Sequence, residues 1–206
     1  MCSEQKESRI NIDKVREAIE QVADDFRNNE RIILTERDLQ WRICYYLQSK
    51  HMCWDPDDEY EIHTEIYWGG SEANEQSGHA GDYEPDISLI HEQDISIIKD
   101  TEVKDRYKFD NIKHKTIVME LKFLGKHDQL QYCKIKKDIQ KIINLRDINM
   151  SDGKNNIYFF IVVFYPFEKD KEREGRVSKS IDSELQKLQK GKEYEVIFVG
   201  LPKEES

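Results

Sequence analysis

Ten residues late in the chain, 157–166 (IYFFIVVFYP), carry no charge at all. A β-strand turns successive side chains to opposite faces, so a run without a polar interruption must be covered on both sides. That requirement excludes a sheet with one wet face and predicts a central strand with helices packed above and below it. A second run, 115–124 (KTIVMELKFL), obeys a different rule. Read as a strand, it sends Ile117, Met119, Leu121 and Phe123 to one face and Thr116, Val118, Glu120 and Lys122 to the other. Two charges then leave the sheet on the same side, inside a segment otherwise built for burial.

The remaining elements are read from their periods. In 11–26, Ile12, Val15, Ile19, Val22 and Phe26 recur every three or four residues, which is one helical stripe. A second helix is predicted to start at Thr35, with Asp38 completing a variant of the capping box, Glu36 in its first turn and Leu39, Ile43, Tyr46 and Leu47 as its stripe. Residues 60–68 alternate as a strand, with Ile62, Thr64, Ile66 and Trp68 sharing a face. The Gly- and Ser-rich stretch 69–85 reads as a loop and 86–91 as a short strand. Residues 92–114 are charged and unpatterned and read as an insertion with room for a short hairpin. A helix over 128–147, a final helix over 178–190 and a last strand over 194–201 complete the order. The expectation is an α/β chain with a mixed sheet of four to five strands flanked by helices. Its 206 residues suit one domain. Residues 1–30 would be an appended helix and 168–206 a C-terminal helix and strand.

Composition narrows the function classes. The net charge is −10, which argues against a simple phosphate-binding surface. The charge is segregated, however. Eleven acidic residues and no Lys or Arg fall between Asp55 and Asp86, whereas seven basic residues face two acidic ones between Lys122 and Arg146. The four cysteines (Cys2, Cys44, Cys53, Cys133) form no C-x-x-C pair, and reduced thiols of a cytoplasmic protein are the simplest reading. No apolar signal core and no run of 18 apolar residues is present, so no membrane partner is expected. There is no G-x-S-x-G, no Walker loop and no G-x-G-x-x-G to support a hydrolase, NTPase or dinucleotide reading.

The spacing acidic–any–Lys occurs four times, but only Glu120-Leu121-Lys122 lies in an apolar strand. Asp86 opens the preceding strand directly after Pro85. If those strands are neighbours, Asp86 and Glu120 meet, and two carboxylates that close repel unless a divalent cation sits between them. Hard oxygen ligands suit magnesium or manganese. One alternative is a structural ion pair in an unrelated α/β protein.

Pro85-Asp86 followed by Glu120-Leu121-Lys122 resembles the signature of the PD-(D/E)XK nuclease superfamily. The order helix, three strands, helix, strand resembles its restriction-endonuclease-like core across about two thirds of the chain. The resemblance implies a magnesium-dependent (or manganese-dependent) phosphodiesterase acting on DNA, with RNA not excluded. It would be an endonuclease, with a homodimer left open. Asp86, Glu120 and the Leu121 carbonyl would bind the metal, and Lys122 would position or activate water. Glu36 matches the further glutamate that the family often carries in its first core helix, and would be a further metal ligand. Gln129, Gln131 and Tyr132 are candidates for a later position, and Glu65 is another candidate metal-side carboxylate. Lys134, Lys136, Lys137 and Lys141 would contact phosphates. The alternative on the same fold is an inactive DNA- or protein-binding module.

Overall fold

A computed structural model describes residues 12–28, 35–49, 60–64, 68–69, 85–92, 94, 107–108, 114–124, 133, 135–140, 142, 157–168, 171–186 and 194–201. At 68–69, 107–108, 166–168 and 184–186 it describes the backbone alone. The elements run in the order α1 (Ile12–Asn28), α2 (Glu36–Ser49), β1 (Tyr60–Thr64), β2 (Trp68–Gly69), β3 (Ile87–His91), β4 (Tyr107–Lys108) and β5 (Thr116–Phe123). They continue with α3 (135–140, with Cys133 and Ile142 also helical), β6 (Ile157–Glu168), α4 (Lys171–Gln186) and β7 (Tyr194–Leu201).

Five strands form one mixed sheet in the order β1-β3-β5-β6-β7. The β1–β3 and β3–β5 pairs are antiparallel, and β5–β6 and β6–β7 are parallel. Each face carries a core. On one, Val15, Ala18, Ile19, Val22, Ala23 and Phe26 of α1 and Leu39, Ile43 and Leu47 of α2 pack on Ile117, Met119, Leu121, Phe160, Val162 and Phe164. On the other, Ile135, Ile139 and Ile142 of the α3 region and Val177 and Ile181 of α4 pack on Val118, Phe159, Ile161, Val163 and Tyr165. The uninterrupted run in β6 is thus consumed on both faces, as a strand inside a three-layer α/β domain requires. The helix expected as an appendage, α1, buries six residues in the first core.

Several boundaries depart from the sequence reading. Of the strand expected over 60–68, Tyr60–Thr64 pair with β3, with Thr64 facing Ile87, its first residue, and 65–67 lie outside the described residues. Trp68 and Gly69 instead pair in parallel with Tyr107 and Lys108. That short strand is what the insertion contributes among the described residues, and the hairpin expected within 92–114 lies outside them. The two ends of the insertion are tied together, since buried Asp94 accepts the His114 backbone N–H at 3.1 Å and lies 3.2 Å from its Nδ1. The final helix begins at Lys171, seven positions before the expected start. Its first turns carry no apolar stripe, and are held by Arg176–Glu172 and by the Tyr165 hydroxyl donating to Glu174. At Gly200 the Tyr165 ring lies where a Cβ would stand, so glycine is what lets the ring cross β7. No helix among the described residues is long and apolar enough to cross a membrane.

Candidate active site

The register of β3 against β5 creates a notch. Ile87 faces Met119, and β3 begins there, while β5 runs on to Phe123 beside β6. Residues 120–123 therefore overhang the start of β3. In a strand, the N–H and C=O of one residue point the same way and those of the next point oppositely. Leu121 and Phe123 thus aim their donors into the notch, where no strand among the described residues meets them. Two carboxylates do so instead. The Leu121 N–H donates to Asp86 Oδ2 at 2.6 Å, and the Phe123 N–H donates to Glu36 Oε1 at 3.3 Å.

Each carboxylate has a local reason to be there. Asp86 is the residue before β3, fixed by Gln40 Nε2 donating to its backbone carbonyl at 2.5 Å. Glu36 opens α2, whose start is set by Thr35: its Oγ1 accepts the Asp38 N–H at 3.1 Å, and its carbonyl accepts the Leu39 N–H at 3.2 Å. Gln40 lies one turn beyond Glu36, so the two share the face that α2 turns to the sheet.

The alternation of β5 holds. Met119 and Leu121 enter the core under α1 and α2, and Val118 enters the core under α3 and α4. Glu120 and Lys122 share the parity of Val118. Asp86 shares that of Ile90, which also packs on the α3 face. The register that sets Ile87 opposite Met119 brings Asp86 to the level of Glu120 when continued by one residue. Glu120 is 3% exposed. The Lys122 ammonium lies 3.0 Å from Glu36 Oε1 and 3.7 Å from Asp138 Oδ2. Burial works against its charge. The hydrogen bond to Glu36 and the fields of Asp138, Glu36 and Asp86 outweigh that, and its pKa lies above the ordinary lysine value. At neutral pH Lys122 is a cation among carboxylates. The notch lies at the carboxyl ends of the parallel strands β5, β6 and β7, in the middle of the strand order rather than at an edge strand. Crevices at such strand ends are where open α/β sheets take ligands.

Asp86 with Leu121, and Glu36 with Phe123 and Lys122, are thus joined by hydrogen bonds or an ion pair, and the register of β3 on β5 continued by one residue sets Glu120 level with Asp86. Among the described residues no three His, Cys, Asp or Glu side chains gather as a metal-holding group. The oxygen donors suited to a hard cation are the Asp86 and Glu120 carboxylates and the Leu121 carbonyl, which points the same way as the N–H that Asp86 accepts, with the Glu36 carboxylate two residues along β5 at Phe123. Such donors fit magnesium. Lys136 and Lys137 are exposed on α3. Glu65, Gln129, Gln131, Tyr132, Lys134 and Lys141 lie outside the described residues.

Two residues of the site were not singled out by sequence. Gln40 and Asp138 are polar members of apolar stripes. Gln40 falls among Leu39, Ile43 and Leu47, and Asp138 falls among Ile135, Ile139 and Ile142. A polar side chain on a core-facing stripe was the available signal. Comparison with protein-family models, with curated proteins and with solved structures gave no match.

Proposed function

We propose that this chain is a metal-dependent nuclease with a restriction-endonuclease-like core, hydrolysing phosphodiester bonds in DNA. The observation that carries the reading is the notch beside β5. Asp86 and Glu36 cap the Leu121 and Phe123 N–H groups there, next to a buried Glu120 and the Lys122 ammonium. These residues, scattered in sequence from Glu36 in the first turn of α2 to Lys122 in β5, would act as one centre. A bound magnesium or manganese ion would supply Lewis-acid stabilisation of the scissile phosphate and a more acidic attacking water. The chain's own part is simpler. Asp86, Glu120 and the Leu121 carbonyl provide hard oxygen donors, with the Glu36 carboxylate as a further one, Gln40 holds the backbone of Asp86, and Lys122 presents a fixed positive charge to a phosphate oxygen or to the attacking water. The net negative charge is partly offset where cations bind.

The test is incubation of the protein with plasmid, linear and branched DNA, and with RNA, in magnesium or manganese, beside EDTA. Cleavage that EDTA abolishes, and that Lys122→Ala or Asp86→Ala lowers about 100-fold or more, is the expected result. Identical patterns in every lane would sink the nuclease. A second reading, an inactive binding module, is favoured by the engagement of Asp86 Oδ2 and Glu36 Oε1 with backbone N–H groups. Such a module binds DNA equally with and without Asp86→Ala and cuts nothing.

A further inference from the structure

Asp138 occupies a place on α3 that composition alone would give to an apolar residue. It follows Ile135 by three positions and precedes Ile142 by four, and these neighbours are at most 1% exposed. Its own side chain is 14% exposed, and it lies 3.7 Å from the Lys122 ammonium. A carboxylate so placed is costly unless a cation or donors meet it. Lys122 reaches it from β5, while the nearer partner of Lys122, Glu36, comes from α2 on the opposite face of the sheet. Glu36 Oε1 is shared between the Lys122 ammonium and the Phe123 N–H.

We infer that Asp138 is the positioning residue of Lys122, holding its ammonium in the notch when the Glu36 carboxylate is drawn to a divalent cation. The inference rests on the proposed nuclease reading. A divalent cation bound at the Glu36 carboxylate would compete for the negative charge that holds the ammonium and repel it at that range. A lysine with Glu36 as its sole anchor would swing into water on loading. Asp138 sits on the α3 side of the notch, away from Glu36, and retains it. Glu36 and Asp138, equivalent as partners of one lysine, therefore have separable duties.

The metal-free protein gives the first test, by NMR of the Lys122 ammonium. In Glu36→Gln the signal persists, because Asp138 still holds the amine, and it is lost in the double variant Glu36→Gln/Asp138→Asn. Loss in Glu36→Gln alone overturns the inference. Kinetics give the second. Asp138→Asn lowers the turnover at saturating magnesium about 10- to 100-fold and leaves the magnesium concentration for half-maximal rate unchanged, whereas Glu36→Gln raises that concentration. Asp138→Glu, whose extra methylene shortens the gap, restores turnover. An Asp138→Asn protein with unchanged turnover, or with the magnesium requirement of Glu36→Gln, overturns it as well. Should the wild type cut nothing, the nuclease reading fails, while the metal-free NMR arm still decides the role of Asp138.

Discussion

Asp86 does two jobs with adjacent atoms. Its carboxylate accepts the Leu121 N–H, and its carbonyl accepts the Gln40 amide. A single residue thereby leads into β3, caps the overhang of β5 and ties both to α2. Cys44, on the same helix, shows burial acting with nothing to oppose it effectively: its thiol is pushed up to about 11 from an ordinary value near 9. Only the thiolate is nucleophilic. At about pH 8, peptide mapping after brief thiol labelling should find exposed Cys133 modified and Cys44 spared. Equal labelling would show that Cys44 is open. The sign for stability follows from the raised value. The native thiol stays protonated while the unfolded one ionises, so its contribution is complete below about pH 9 and is lost as pH rises towards about 11. Urea unfolding across that window should fall more steeply for the wild type than for Cys44→Ala.

At the scale of elements, α2 matters by where it starts. The Thr35 hydroxyl accepts the Asp38 N–H and donates to the Asp38 carboxylate at 3.0 Å. Thr35→Ala should cost about 1 kcal/mol in urea unfolding. It should also speed amide exchange at Phe123, whose N–H is held by Glu36 one residue beyond the cap. Unchanged exchange at Phe123 would separate the cap from the notch. This start was legible, because a threonine followed three residues later by an acid precedes a helical stripe. So were α1, β5 and β6, whose periods are long and regular. The partner of Trp68 was not legible, since alternation continues from β1 through Trp68 while Trp68 pairs with β4 and not with β3. Whether a strand has a partner is a property of the neighbouring strand. The start of α4 was hidden for a related reason: its first turns are stabilised by ion pairs and by Tyr165, and only Val177 and Ile181 are buried in its described part.

Across the whole molecule, the notch is carried by a core on each face. Phe26 of α1, fully buried, packs edge-on against Phe164 of β6 and Phe123 of β5, with ring centroids 5.3 and 6.3 Å away. Phe26→Ala should cost about 3–5 kcal/mol in denaturant unfolding. A cost below about 1 kcal/mol would mean that α1 is peripheral to the core. By itself the sequence determined that there is a sheet covered on both faces, that Glu120 and Lys122 leave β5 on one side, and where α2 begins. Each follows from periodicity or capping, which are local. Only the tertiary structure decided that β3 starts opposite Met119 and leaves β5 overhanging, that Asp86 and Glu36 fill that gap, and that Asp138 meets Lys122 from α3. Those are matters of register and of helix placement, set by the packing of both cores at once, and no short stretch of chain contains them.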